Sequence, residues 1–587
     1  MSFLHRRTAS FDDAHDALSD SRRAKTRRRG APYVACLLLS LGLISSAQQR
    51  GAVFVDVTVA SGLDFTHVNG ATGELLLPEV IGAGGALFDY DNDGDLDLFA
   101  VQGGPLRPTA GPGTPAPPRS RLYRNDRDKS GGLHFTDVTD RSGIVAAGYG
   151  MGAATGDFDN DGWIDLYVTY LGANHLFRNN GDGTFIDVTD KSGTAVNRWS
   201  TSATFLDYDQ DGWLDLFVVT YVSFSPDMKR GCFSAGSARD YCNPVVYDPL
   251  PDTLFHNNRD GTFSDVSVRS GIARAPRRGL GVIAADANGD GWTDLYVAND
   301  GDGNQLWLNE HGTGTFKDDA LLAGVAVNRM GRAQGSMGVD FGDVDNDGDD
   351  DLFVTNLDNE GNTLYVNTGH ALFEDRTVEA RLLKLGFTGF GTRLFDYDND
   401  GWLDIVVVNG AVRHIVSQVQ AEDSYPLKQR KHLFHNERGR FADVTPTAGD
   451  AFERLEVSRG LATGDLDNDG DSDVVVFNNS GPARVLRNDV GSRRHWLGVR
   501  ALDARHHRDA LHARVELVRR GMSFSRRVQA DGSYGTASDP RVLFGLAADE
   551  SPQTVRVHWI GGTVEEFRAL APDRYWLLET GKPPRAM

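Results

Sequence analysis

The sequence predicts an all-β chain: a seven-bladed β-propeller followed by a small C-terminal β domain. Three observations predict it. A nine-residue acidic motif occurs seven times, strand-like segments flank each copy in one fixed order, and an orphan strand precedes the first copy. Regular recurrence of four short strands per unit is the pattern of a propeller.

Each motif reads D-x-[DN]-x-D-G-x-x-D and runs into an apolar strand. The candidate metal ligands at positions 1, 3, 5 and 9 are Asp89, Asp91, Asp93 and Asp97 in the first copy, then Asp157, Asp159, Asp161 and Asp165 in the second. Asp207, Asp209, Asp211 and Asp215 follow, then Asp286, Asn288, Asp290 and Asp294. The last three copies carry Asp343, Asp345, Asp347 and Asp351; Asp396, Asp398, Asp400 and Asp404; and Asp465, Asp467, Asp469 and Asp473. Oxygen ligands alone, mostly carboxylates, suit a hard cation that takes many ligands, so the expected cofactor is Ca²⁺, up to seven ions. Clustered aspartates repel one another unless a cation sits among them. The glycine at position 6 permits the sharp turn around the ion. Position 7 varies between Asp and Trp (Asp95, Trp163, Trp213, Trp292), which fits a backbone carbonyl ligand there. An EF-hand is excluded at position 12, where a bidentate Glu is needed and the chain has Ala100, Val168, Val218, Val297, Val354, Val407 and Val476.

The flanking strands follow one order. A small or apolar strand precedes each loop, as in Gly85–Phe88, and a continuously apolar one follows, as in Ile405–Val408, which should be buried on both faces. A third strand ends in Asn, as in His432–Asn436, and a fourth reads like Thr184–Thr189. The seventh unit lacks a fourth strand, and Phe54-Val-Asp-Val-Thr58 stands alone before the first. The N-terminal strand is therefore expected to complete the last blade and remove an exposed sheet edge. All Asp loops follow strand one and share a face. The long insertions at about 102–120, 221–252 and 410–430 follow strand two and gather on the other. Binding residues favour loops held on a rigid scaffold. Tyr170, Tyr221, Asn299, Asp300, Arg332, Asn356, Asn409 and His414 are placed near that loop-rich mouth.

Residues 1–50 read as a targeting segment: a basic stretch through Arg27–Arg29, a short apolar run Ala31–Ile44 and small residues at Ser45–Ala47. The run is too short to favour a membrane span. Cys36 lies too early in it for a lipidated cysteine. Cys232 and Cys242 remain after cleavage and read as a disulfide closing a small loop in an exported chain, the alternative being two free thiols. The formal net charge of −22 comes largely from the Asp loops, and no basic face points to nucleic acid. Expected domains are a targeting segment at 1–50, the propeller at 51–489, a small β domain at 490–580 and a loose tail at 581–587.

The Asp loops resemble the FG-GAP (VCBS) calcium loops of integrin α-chain propellers. Arg508-Asp-Ala510, Gly532-Ser-Tyr534, Phe544-Gly-Leu546 and Val557-His-Trp559 make the last part similar to an ASPIC/UnbV domain, and the whole resembles the cartilage acidic protein 1 family. The resemblance implies an exported calcium-binding propeller, secreted, periplasmic or at the cell surface, and little about activity. Asn288, a neutral ligand, departs from the pattern and should weaken the fourth site. His506-His507 and Leu511-His512 depart from it in the last domain, leaving that turn open. An Arg508–Asp509 pair is expected to hold a turn.

Two functions follow. One is a binding module for a glycan or protein ligand, acting as a monomer. The other is an enzyme, a polysaccharide lyase or hydrolase or a cyclising enzyme, with its site at the loop-rich mouth. The usual catalytic motifs, G-x-S-x-G and H-E-x-x-H among them, do not occur, and no catalytic residue is assigned. An Arg, an acid, a Tyr and a His converging on one cavity would favour the enzyme.

Overall fold

A computed structural model of the chain describes residues 52–107, 116–127, 132–145, 148–228, 230–234, 237–519 and 521–587. One four-stranded antiparallel meander recurs through it. The first comprises Gly85–Phe88, Asp97–Ala100, Arg121–Asn125 and Phe135–Asp137. Later meanders open with Tyr149–Gly156, Asn197–Leu206, Gly279–Ala285, Val339–Gly342, Gly389–Phe395 and Ser458–Gly464. These first strands are neighbours in chain order, and the last lies against the first, so the sheets close into a propeller-like ring. The second and third meanders are also joined at an edge, where Asn197–Trp199 pair with Leu171–Ala173.

The apolar second strands explain how the sheets stack. Along Asp404–Asn409, Ile405 and Val407 enter a core with Phe353 and Leu364 of the preceding meander. Val406 and Val408 point the other way, into a core with Val474 and Val476 of the following one. Successive side chains of a strand alternate faces, so an unbroken apolar run is what a sheet packed on both sides requires. The last meander takes its fourth strand from the N-terminal side: Phe54, Val55 and Asp56 pair with Asn488, Arg487 and Leu486. Phe54 is buried against Phe395, Tyr397 and Phe452. Residues 1–50, expected to be a targeting segment, lie outside the described residues with Cys36, as does the middle of the 102–120 insertion.

The insertions meet on one face. Arg107 pairs with Asp227, Arg239 donates to the Glu74 carbonyl, and His414 Nδ1 lies 3.3 Å from Asp240. Cys232 and Cys242 form a disulfide, with Cα atoms 5.1 Å apart.

The C-terminal part forms two sheets. One holds His495–Asp503 beside the parallel strand Tyr575–Glu579 and the antiparallel Val542–Ala547. The other has the order Met522–Arg527, Arg514–Arg519, Gln553–His558 and Val564–Leu570. Two features of this part concern its packing. First, the small β domain after 490 packs with the ring: residues from 52 onward belong to one compact unit. The segment 531–538, expected only as a turn at Ser533–Gly535, touches the first strand of every meander. Asp531 Oδ2 accepts from the Ala284 amide, Ser533 exchanges two backbone hydrogen bonds with Val339, and Ser533 Oγ accepts from the Thr392 amide. The Gly535 carbonyl accepts from the Gly85 and Ala153 amides, and its own amide donates to Ser202 Oγ. Thr536 donates to the Leu461 carbonyl. The segment thus fills the axis of the ring. A Cβ on Gly152 would lie 2.7 Å from Gly535 Cα, so glycine is required where the strand meets it. Second, the tail is not loose along its length, because Arg585 and Ala586 pair with Leu577 and Trp576.

Phe54→Ala should remove the clasp's anchor. A core Phe deletion costs about 3–5 kcal/mol, read as an earlier midpoint in guanidinium unfolding; an unchanged midpoint would refute the clasp.

Candidate functional site

All seven Asp loops have one geometry. In the first, Asp89 accepts from the amides of Asp93 and Gly94, both at 3.0 Å. Asp93 accepts from the Asp95 amide. Asp97, fully buried, accepts from the Tyr90 amide at 3.1 Å and from the Asn125 amide at 2.8 Å. These bonds recur in the other copies, as between Asp165 and the amides of Phe158 and Asn179. Position 4 turns left-handed, at φ between 53° and 58° for Asn92, Asn160, Gln210, Asn346, Asn399 and Asn468, and 74° for Gly289. Asn tolerates that conformation and glycine adopts it freely.

Position 3 is different. Oδ1 of Asp91, Asp159, Asp209, Asp345, Asp398 and Asp467 is buried and makes no hydrogen bond. Arg494 Nη1 lies 3.0 Å from that oxygen of Asp398, while Arg178 and His256 approach only the other oxygen of Asp159 and Asp209, at 3.8 and 3.5 Å. In the fourth loop Asn288 satisfies itself on Asp290, donating to Oδ2 and accepting from the amide. A buried, unpartnered carboxylate oxygen is costly and asks for a cation. Triads such as Asp89, Asp91 and Asp97 or Asp157, Asp159 and Asp165 bring ligand oxygens within 4.8 Å of one another. The third and sixth loops add an imidazole, His256 beside Asp209 and Asp215, and His435 beside Asp398 and Asp400. Burial raises the position 1 and 9 carboxyls: Asp157 to about 7, Asp207 to about 6, Asp351 to about 9, and Asp165 well above the ordinary range. A hydrogen bond to Asp404 raises His435 to about 9.

Two belts of amides tie the loops into the ring. The Asn ending each third strand donates its side-chain amide to the position 2 carbonyl of the preceding loop. Asn179 reaches Tyr90, Asn257 reaches Phe158, Asn309 reaches Tyr208, and Asn125 closes the circle onto Leu466. Asn367, Asn436 and Asn488 complete it. The second belt runs from position 4 to the glycine carbonyl of the next loop: Asn92 to Gly162, Asn160 to Gly212, Gln210 to Gly291, Asn399 to Gly470 and Asn468 to Gly94. It stops at Gly289, which has no side chain, and at Asn346, whose amide has no partner. Neither belt was foreseen. The signal for the first was the Asn at the end of every third strand.

The C-terminal sheets cover this face through arginines. Arg508 donates to Asn160 Oδ1 and the Gly212 carbonyl, Arg527 to the Asp286 carbonyl, and Arg526 to the Gly401 carbonyl. Arg541 reaches the Asp465 carbonyl and Asn468 Oδ1. Arg508 and Asp509 are therefore not a side-chain pair as expected: Asp509 pairs with Arg500 at 2.9 Å, and Arg508 serves the loops. The unsettled turn resolves in the same way, with the His512 ring between the carbonyls of Ala284 and Phe205, at 3.1 and 3.0 Å. Trp163 and Trp292 lie against the Gly181 and Gly312 turns as packing residues.

The FG-GAP-like repeat family matches residues 89–168, 157–218, 245–297, 286–354 and 343–407, and the ASPIC and UnbV family matches 503–585. The chain belongs to the FG-GAP-repeat proteins that carry an ASPIC and UnbV domain. It is similar to cartilage acidic protein 1 of Xenopus tropicalis, 26% identical over 365 residues, which are 53% of this chain and 56% of that protein. With the Homo sapiens protein of that name it shares 30% identity over 169 residues, 27% of this chain and 24% of that one. The matched part thus spans about half or less of these relatives. Among solved structures, an Agrocybe aegerita lectin studied for recognition of non-reducing terminal N-acetylglucosamine has 16% identity and a TM-score of 0.36, covering 62% of this chain and 79% of that chain. A BBS1N–ARL6DN complex gives 9% identity and a TM-score of 0.37, covering 75% of this chain and 98% of that one.

On the opposite face of this FG-GAP-repeat ring lies a cavity of about 540 Å³. Leu77, Ile81, Leu280, Met337, Leu357 and Phe390 supply much of its apolar lining. Tyr534, at the tip of the axial segment, stacks edge-on to Phe390 and donates to the Ile81 carbonyl. Of the residues expected at this mouth, Asp300 and His414 line the cavity, and Tyr221 donates to Asp300 at 2.6 Å. Asn299, Asn356 and Asn409 instead bond nearby carbonyls of Gly303, Gly361 and Arg430, and close their own loops. Tyr170 packs against His175 in the core, and Arg332 is exposed outside the lining. Among the described residues, no helix is long and apolar enough to cross a membrane.

Two outcomes follow. Asn257→Ala strips the Phe158 and Leu214 carbonyls of their side-chain donor, so unfolding should come about 1–3 kcal/mol earlier. In chelator, the raised carboxyls make the folded protein bind more protons than the unfolded one. Stability should therefore fall as pH rises from about 4 through 7, read as a lower melting temperature at pH 8 than at pH 5. The opposite slope would contradict it.

Proposed function

We propose that this is an exported binding module whose ring is braced by calcium at the Asp loops and whose insertion-bearing face captures a glycan or protein ligand. The observation that carries the calcium reading is the unpartnered Oδ1 at position 3, together with the self-satisfied Asn288 where the ligand is neutral. Asp at positions 1, 3, 5 and 9 would hold the ion in each loop, and the ion would neutralise carboxyls that burial otherwise pushes toward protonation. The fourth loop binds more weakly. The Cys232–Cys242 disulfide supports an oxidising compartment, secreted, periplasmic or at the cell surface, as does similarity to proteins named for cartilage. The C-terminal arginines occupy the loop face, which leaves the cavity face for the ligand.

A second reading is favoured by one observation. Asp300, His414 and Arg413 line one cavity, and Tyr221 holds Asp300. That convergence suits an enzyme at the same mouth.

Saturating calcium should raise the melting temperature, because an ion bound only by the folded state stabilises it by mass action. Asp91→Ala should reduce that rise, and the same change at Asn288 should reduce it less. Equal melting with calcium and with chelator would end the reading. A glycan array and a protein pull-down with calcium present test the ligand class, and turnover of a retained compound would decide for the enzyme.

A further inference from the structure

The cavity is lined by one buried charged side chain. Of the charged groups that line it, Asp300 alone is buried, while Asp358 and Arg413 are exposed and Glu360 and His414 lie between. Asp300 Oδ2 accepts from Tyr221, and Oδ1 has no hydrogen-bond partner among the described residues. Gly335 crosses beside that oxygen, and its amide donates to Glu360 at 2.7 Å, which sets a second carboxylate on the same wall. Arg278, whose charge acts on Asp300, is already bound to both oxygens of Asp302 at 2.9 Å. His414 is held by Asp240. Burial raises Asp300 to about 6, so it is mainly ionised at neutral pH, in a pocket walled by Leu77, Ile81, Leu280, Met337 and Phe390. An anion in such surroundings attracts a cation that brings its own apolar body.

We propose that this cavity binds a small amphipathic amine, its ammonium on Asp300 Oδ1 and its apolar part against Met337, Leu280 and Phe390. The volume suits a molecule of that kind. The inference rests on the reading that the insertion-bearing face is the binding face, and it adds the ligand's chemistry.

Calorimetric titration of the full protein with 4-phenylbutylamine, 4-phenylbutanol and 4-phenylbutanoate at neutral pH tests it. The amine is expected to bind about tenfold or more tightly than the alcohol, and the carboxylate more weakly still. Asp300→Asn, with its melting temperature checked, should erase the preference for amine over alcohol. Should that variant not fold, Glu360→Gln should reduce the preference at least about threefold. Equal binding of amine and alcohol, a preference that survives the substitution, or no binding of the amine at millimolar concentration would each overturn the proposal. If the amine fails while a glycan or protein is captured on this face, the reading of the face stands and this inference alone falls.

Discussion

The arrangement depends on how each Asp loop uses its carboxylate oxygens. Positions 1 and 9 spend both oxygens on backbone amides, and position 5 spends one, as Asp89, Asp97 and Asp93 do in the first loop. Those bonds fix the turn and fasten the third strand to it. One buried oxygen, at position 3, is left over in every loop but the fourth. A turn shaped this way by its own amides concentrates negative charge at position 3, where the proposed cation would sit.

The ring inherits its order from those turns. Because the position 2 carbonyl is held in place, the Asn of the next third strand always finds it, and the circle closes from Asn125 to Leu466. Because the glycine carbonyls point outward, arginines of the C-terminal sheets can seat on them, as Arg526 does on Gly401. The same sheets send residues 531–538 down the axis, so Tyr534 reaches Phe390 and Ile81 under the cavity. The two faces are therefore linked by one continuous piece of chain. Loosening the loops would disturb the seat of the C-terminal sheets, and with it the floor of the opposite cavity.

Much of this was legible in the residues. Motif spacing placed strands one and two, the unbroken apolar runs announced burial on both sides, and the orphan Phe54–Thr58 pointed to the clasp. The mouth was half legible. Asp300, Tyr221 and His414 come together, but Asn299, Asn356 and Asn409 follow the same strands and merely cap loops. Position after a strand fixes which face a residue is on, not whether its side chain turns into the cavity. The axial segment was not legible. Gly532-Ser-Tyr-Gly535 reads as a turn because its hydrogen bonds go to partners hundreds of residues away, and local pattern carries no trace of them. The short pairing of Arg585 and Ala586 with Trp576 and Leu577 is hidden for a similar reason, since a two-residue edge strand has no periodicity to read.

Native mass spectrometry of the full protein, sprayed from a calcium-containing and then a chelator-containing volatile buffer, tests the cation account most directly. The account predicts a folded ion carrying six or seven calcium ions, the extra one lost first in keeping with the neutral Asn288, and a shift to broad, highly charged states once they are removed. A folded ion at the bare mass of the chain in both buffers would contradict it.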